Sequence, residues 1–287
     1  MALLIGVSAI FCDLLALVAM KLILIKIYFL LSSQLGLDPL RMLSSLRGLP
    51  SFAKDWQAFR RSFSGKMLWM PCLHDRFEEG GTTKGEYFWQ DLWVARQIHA
   101  AAPDKHVDIG SRVDGFVAHV ASFREIEVLD VRPITGTIPG ITFRQADLMD
   151  ETSLPEGTST RGYCDSLSCL HALEHFGLGR YGDPINPQGY RQGLENMAKL
   201  LSPGGLFYLS TPIGKERVEF NANWVFDPST LLQIATAAGL VLKELTIFDP
   251  FNPDLGLQRC DFDEVALNRL ANKNYNLGLF TFVKANT

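Results

Sequence analysis

The stretch from His106 to Pro133, HVDIGSRVDGFVAHVASFREIEVLDVRP, constrains the fold of this chain more than any other. A short apolar run, His106 to Ile109, carries an acid, Asp108, and runs into Gly110. Gly115 then opens a stretch of helical pattern, and a second apolar run from Ile126 to Leu129 ends in Asp130. Strand, glycine turn, helix, strand and strand-end acid is the plan of a βαβ unit that holds a nucleotide. The glycines let backbone approach a ligand with no Cβ in the way. The helix N-terminus offers unpaired N–H groups, and a carboxylate after the second strand can accept two hydrogen bonds from a ribose diol. A dinucleotide fold requires G-x-G-x-x-G. Here Arg112 stands where the second glycine would be and the run is D-x-G-x-x-x-x-G, which disfavours a NAD-dependent oxidoreductase.

The alternation continues to the carboxyl end. Short strands are expected at Ile141–Gln145, Ser166–Leu170, Leu206–Thr211, Leu240–Ile247 and Leu277–Val283. Helical patterns lie between them: one starting at Ala172, one over Tyr190–Leu201 stopped by Ser202-Pro203-Gly204-Gly205, and one over Pro228–Ala238 stopped by Gly239. Before the first strand, Tyr87–Ala101 reads as a helix with Phe88, Leu92, Ala95, Ile98 and His99 as its inward stripe. Strands alternating with helices imply an α/β fold, a doubly wound, seven-stranded, mostly parallel sheet with helices on both faces.

The amino end has a different character. From Met1 to Leu31 nearly every residue is apolar, interrupted mainly by Asp13, Lys21 and Lys26. Either Ala2–Met20 or Leu14–Leu31 has the roughly 20 apolar residues that a bilayer span needs. Lys21, Lys26, Arg41, Arg47, Lys54, Arg60, Arg61 and Lys66 lie on the carboxyl side, so the positive-inside rule places the rest of the chain on the cytoplasmic face. A helix packed on the protein, or lying in the membrane interface, is the alternative. Asp38-Pro39 is a good helix start. Leu40, Leu43 and Leu46, then Phe52, Trp56 and Phe59, predict two short amphipathic helices around a break at Gly48-Leu49-Pro50. The expected division is therefore a membrane-associating segment over 1–34, an amphipathic helical linker over 35–85 and a nucleotide-binding domain over 86–287. A net charge of −4 speaks against a nucleic-acid binder. The five cysteines are scattered and none forms C-x-x-C, as expected of free thiols in a reducing compartment.

Three segments resemble the class I S-adenosylmethionine (SAM) methyltransferases. Asp108-Ile-Gly110 resembles their first motif. Asp165-Ser-Leu-Ser-Cys-Leu-His-Ala-Leu-Glu-His175 resembles the fourth strand and the sequence opening the next helix. Leu201-Ser-Pro-Gly-Gly-Leu-Phe-Tyr-Leu-Ser-Thr-Pro212 is similar to the turn leading into strand five. They occur in family order, and the resemblance covers Tyr87 to Lys284. A closer resemblance is to a small uncharacterised methyltransferase-like family with HVDIGSR and GLGRYGDP segments. Some of its bacterial members sit with polysaccharide-building enzymes, which suggests a sugar or glycan acceptor.

The resemblance implies SAM as cofactor and assigns residues to it. Asp108, Gly110 and Ser111 would line its methionine end, with Gly115 opening the helix beyond. Arg112 would pair with its carboxylate and Asp130 with its ribose. Asp147 would face the adenine amino group, Leu148 would donate a backbone N–H, and Leu170 and His171 would touch the cofactor. His175, His171 or Asp183 would take the proton from a hydroxyl acceptor. Arg180 and Tyr181, in a glycine-rich loop after the fourth strand, and Asn221 and Asn223, after the fifth, would meet the acceptor. His171-Ala-Leu-Glu174-His175 also matches H-x-x-E-H, the inverted zinc-protease signature, but it begins at a strand end, so no metal site is assigned. The alternative class is a catalytically silent, membrane-tethered binding or scaffold module of the same fold.

Overall fold

The computed structural model describes Met20, residues 23–158 and residues 162–286. The chain divides into two compact units, Met1–Gly81 and Thr82–Thr287.

In the first unit, helix α1 (Ile23–Gln34) precedes helix α2 (Pro39–Ser62). The Asp38 carboxylate caps α2 by accepting from the Leu40 and Arg41 N–H groups, and Pro39 sits at its first turn. One continuous helix replaces the two expected around Gly48-Leu49-Pro50. Pro50 lies inside it, and an interior proline forfeits a single backbone bond without having to end the helix. Gly48 is needed for packing: a Cβ there would lie 2.2 Å from the Leu73 carbonyl oxygen. Phe52, Trp56 and Trp69 form an aromatic cluster, with ring centroids 5.0 to 6.2 Å apart. Leu40, Leu43, Leu46, Leu68, Trp69 and Met70 remain exposed. Among the described residues no single helix is long and apolar enough to cross a membrane. Only α1 and α2 together, bent by 73°, have the length and composition. The expected span Ala2–Met20 lies outside the described residues except for Met20, as does the first part of Leu14–Leu31.

The second unit is built on an eight-stranded sheet of order β3-β2-β1-β4-β5-β10-β8-β9. Strands β1 (His106–Ile109), β2 (Ile126–Asp130), β3 (Ile141–Gln145), β4 (Cys164–Leu170) and β5 (Leu201–Ile213) run parallel. Strand β10 (Asn276–Lys284) is antiparallel to both β5 and β8 (Leu240–Phe248). The eighth strand is β9 (Leu257–Cys260), a four-residue edge strand antiparallel to β8. The expected seven were short by this one because LQRC has no apolar alternation to mark it. A separate hairpin pairs β6 (Arg217–Glu219) with β7 (Asn223–Val225). Strand β5 begins earlier than expected. Its register with β4 jumps from Cys164–Leu201 to Ser166–Leu206, so Ser202–Gly205 loop out as a bulge.

Apolar clusters cover both faces of the sheet. One includes Leu194 and Met197 of helix α5 (Gly189–Leu200), Leu231 and Ile234 of α6 (Pro228–Ala237), and Leu267 and Leu270 of α7 (Glu264–Ala271). The other includes Val94, Ala95 and Ile98 of α3 (Glu86–Ala101) with Phe116 and Val117 and, in the short α4 (Ala118–Ala121), Val120. All four residues of β1 are buried, as befits a central parallel strand covered on both sides. The expected α3 stripe is rotated: Phe88 and Leu92 face outward, while Gln90 and Asp91 are buried with Val94, Ala95 and Ile98. The strand order reverses between β1 and β4. In open α/β sheets such a switch point opens a crevice at the carboxyl ends of the strands.

Candidate functional site

The turn after β1 is held from behind. Gly110 has φ +72°, and a Cβ there would come within 2.9 Å of the Ala172 Cβ, so both backbone and space demand glycine. Asp108 is wholly buried and accepts from the Ser111 N–H at 2.9 Å, the Ser111 hydroxyl at 2.7 Å and the Ser168 hydroxyl at 2.5 Å. Burial, opposed by these bonds, pushes its carboxyl up to about 7. His106 lies between the Ser166 and Ser168 hydroxyls, at 2.8 and 3.1 Å. Since Ser168 donates to Asp108, His106 donates to Ser168 from Nε2 and accepts from Ser166 at Nδ1. The role expected of Asp108 at the methionine end is thus a supporting one: it braces Ser111, and Gly110 and Ser111 face the cavity. Gly115 does not open a regular helix. It lies in a π turn, Val113–Val117, with φ −122° and ψ −110°. Arg112 forms a bidentate pair with Asp114, at 2.8 and 3.0 Å, at the exposed rim.

A cavity of about 560 Å³ opens at the switch point, with Gly110, Ser111, Arg112, Asp130, Leu170 and His171 in its wall. Such a volume is in the range of small-molecule sites. A narrow, mainly apolar slot of about 50 Å³ adjoins it, lined by Leu129, Ala146, Asp147, Leu148, Met149 and Phe176 and sharing Gly110, Asp130 and His175. Asp130 stands between the two. It takes a bidentate pair from Arg132, at 2.6 and 3.0 Å, plus the Arg132 N–H at 2.8 Å. Asp147 accepts from the Met149 N–H at 2.9 Å. The Arg132 guanidinium lies 4.4 Å from the Tyr181 ring centroid, so the loop after β4 meets the loop after β2 across the slot.

The end of β4 brings two histidines to the cavity. His171 has φ +49°, a conformation rare outside glycine. Its Nδ1 is 2.7 Å from Glu174, and its buried Nε2 has no hydrogen-bond partner, with Glu86 at 3.4 Å. Burial alone would lower its pKa. The Glu174, Glu86 and Asp91 carboxylates outweigh that and raise it, favouring imidazolium. Burial likewise opposes the charge on Glu174, and His171 outweighs it, so this carboxyl is held low. His175 is moved the other way. Burial lowers its pKa, Glu174 opposes this, and Arg180 adds to it. Its Nδ1 donates to the Ala222 carbonyl at 2.7 Å, leaving Nε2 as the unprotonated nitrogen. Only the short turn Leu173–His175 forms where a longer helix from Ala172 was expected. With His171 tied to Glu174 and His175 to Ala222, the H-x-x-E-H residues lack the helical arrangement of the zinc-protease motif.

Asp183, expected as an alternative base, organises its own loop. Its carboxylate accepts from the Gly177, Gly179 and Tyr181 N–H groups at 3.0 to 3.2 Å. Arg180 donates to the Ala222 carbonyl at 2.9 Å and lines the cavity with Tyr181 and Asn223. Asn221 sits at the β6–β7 turn with φ +64° and does not line the cavity. Glu86, Tyr87, Gln90 and Asp91 of α3, Arg132, Glu174 and Tyr275 line the cavity and were not among the expected site residues. Tyr87 packs on His171 at 4.8 Å, and burial followed by the charges of Glu174 and Glu86 pushes its phenol up to about 12. Tyr275 donates to Glu86 at 2.9 Å. The polar pair Gln90-Asp91 on a helix whose other buried positions are apolar was the available signal for α3; nothing local marks Tyr275.

Residues 158–238 match a family described as "Caenorhabditis protein of unknown function, DUF268". No curated protein matches this chain at a significant level. Among solved structures, the chain is similar to N-methyltransferase NodS from Bradyrhizobium japonicum WM9 in complex with S-adenosyl-L-homocysteine (SAH), at 15% identity, covering 80% of this chain and 98% of that one, with a TM-score of 0.45. It is also similar to the Burkholderia thailandensis 1,6-didemethyltoxoflavin-N1-methyltransferase with 1,6-didemethyltoxoflavin and SAH bound, at 15% identity, covering 69% and 79%, with a TM-score of 0.45. The YcgJ protein of Bacillus subtilis is similar at 13% identity, covering 69% and 99%, with a TM-score of 0.47.

Proposed function

We propose that the second unit binds SAM and transfers its methyl group to a small hydroxyl acceptor, a sugar or glycan by the sequence resemblance. The observation that carries this reading is the junction of a braced glycine turn, a strand-end carboxylate and an apolar slot with a wider polar cavity. The residues present fit the cofactor. Adenine would lie at the slot between Leu129, Leu148 and Met149, which at about 50 Å³ has to widen to admit the ring, with Asp147 at its edge. The ribose diol would donate to Asp130 through Oδ2, which accepts once from Arg132, while Oδ1 already accepts twice. Gly110 and Ser111, which line the cavity, would hold the amino-acid end. Bound SAM supplies an electrophilic methyl on a sulfonium leaving group. The chain then aligns the acceptor, excludes water and removes one proton. Nε2 of His175 would take the hydroxyl proton as the acceptor oxygen gains the methyl and the neutral thioether leaves. His171, as imidazolium, stays between Glu174 at Nδ1 and Glu86 at Nε2 and holds a fixed positive charge in the cavity wall. Incubation of the full chain with methyl-labelled SAM and a panel of hydroxyl acceptors tests this. Labelled ether and SAH should form together. SAH binding without transfer to any acceptor would favour the silent module.

We further propose that the first unit attaches the chain to an anionic membrane surface, with the second unit on the cytoplasmic side. Exposed Leu40, Leu43, Leu46 and Trp69, in a unit that also carries Arg41, Arg47, Arg60 and Arg61, support this, because apolar and basic side chains together suit a lipid headgroup boundary.

A further inference from the structure

The carboxylates that line the cavity differ in one respect. Asp114 is paired with Arg112, Asp130 with Arg132 and Glu174 with His171, while Glu86 accepts from Tyr275. Asp91 is 93% buried by its relative exposure of 7%, and among the described residues only its Oδ1 has a donor, the Gln90 amide at 3.0 Å. The relay behind it fixes that orientation. The His171 N–H is shared between the Ser210 carbonyl oxygen at 3.1 Å and Ser210 Oγ at 3.2 Å, and the Ser210 hydroxyl donates to Gln90 Oε1 at 2.6 Å. The Gln90 NH₂ must therefore turn to Asp91, and Oδ2 is left facing the Gly115 turn. A Cβ on Gly115 would stand 3.0 Å from that oxygen, so glycine keeps the approach open. Burial raises the Asp91 pKa, and the cations that oppose it, His119, His171 and Arg112, act without contact. A buried carboxylate held in place with one oxygen open to a cavity is a receptor for a cation.

We propose that Asp91 Oδ2 is the receptor for the α-ammonium group of the cofactor's amino-acid moiety, a binding role that the first motif's own acid, Asp108, cannot fill because Ser111 and Ser168 occupy it. This rests on the SAM reading above. It makes α3 part of the cofactor site, with the Gly115 turn leaving Oδ2 uncrowded. Gln90 and Ser210 are positioning residues.

Calorimetric titration of the full chain with SAH and with the SAH analogue lacking only the α-amino group tests the assignment. The wild-type chain should prefer SAH by about tenfold or more, the scale of a charge-assisted hydrogen bond. In Asp91→Asn, which keeps shape and the Gln90 contact, that preference should vanish while affinity for the deaminated analogue stays within about twofold. Gly115→Ala, which crowds Oδ2, should reduce the preference without removing it. A preference that survives Asp91→Asn overturns the proposal, as does an equal loss of both ligands in a variant that melts like wild type. If the wild-type chain binds neither ligand, the SAM reading itself fails and takes the assignment with it. If it binds both equally, the SAM reading stands and the assignment alone is wrong.

Discussion

At the scale of single residues, two histidines four positions apart are driven in opposite directions. His171 sits between Glu174 and Glu86 and is raised; His175, buried beside Arg180, is lowered. Groups whose environments separate their pKa values in this way mark a division between acid and base. Under the proposed reaction the reactive state has His175 neutral and His171 charged. His175 loses its base function only when pH falls through a value below the ordinary 6.5, and His171 loses its proton only when pH rises through a value above it. The pH profile of kcat/KM should therefore be a plateau straddling 6.5. His175→Ala should lower turnover by roughly 10²–10⁴-fold and abolish the acid limb, with SAH affinity within a few fold of wild type. Loss of SAH binding along with turnover would move His175 into the cofactor site.

At the scale of elements, the loop after β4 is shaped by one carboxylate that collects three backbone N–H groups. Asp183→Ala should leave those donors unmatched, cost about 1–3 kcal/mol and lower Tm by about 2–8 °C; Asp183→Asn, which keeps an acceptor oxygen, should cost less. A Tm unchanged in Asp183→Ala, with turnover lost, would return Asp183 to the chemistry. The elements also show what the sequence makes legible. Strand-end acids such as Asp130 and turn glycines such as Gly110 declare themselves locally, because strand period and glycine conformation depend on near neighbours. The inward face of α3 does not. Apolar counting favours Phe88 and Leu92, yet Gln90 and Asp91 are buried, Gln90 accepting from Ser210, distant in sequence, and Asp91 accepting in turn from the Gln90 amide. Arg132 likewise carries no local signal, since its pairing with Asp130 satisfies no pattern of spacing. Strand β9 was missed because an edge strand needs no apolar alternation, and Pro50 signalled a break that α2 does not make.

At the scale of the whole molecule, the two units differ in the surface they present. The first exposes large apolar side chains among basic ones, while the chain as a whole carries a net charge of −4. Attachment by this unit predicts that the full chain floats with vesicles containing phosphatidylserine and less with neutral phosphatidylcholine vesicles, and that Arg60→Glu with Arg61→Glu weakens flotation. Equal recovery with both vesicle types, unaffected by the charge reversal, would remove the electrostatic part of the proposal. The second unit carries the central claim, that a cofactor with adenine, ribose and amino-acid parts lies across the ends of β1, β2 and β4. Calorimetric titration of the full chain with SAH tests it most directly. One site of micromolar affinity is expected. Asp130→Ala should weaken it by about tenfold or more, as the loss of a carboxylate–diol pair of roughly 1.5–3 kcal/mol requires. No binding by the folded wild-type chain, or an affinity untouched by Asp130→Ala in a folded variant, would contradict this account.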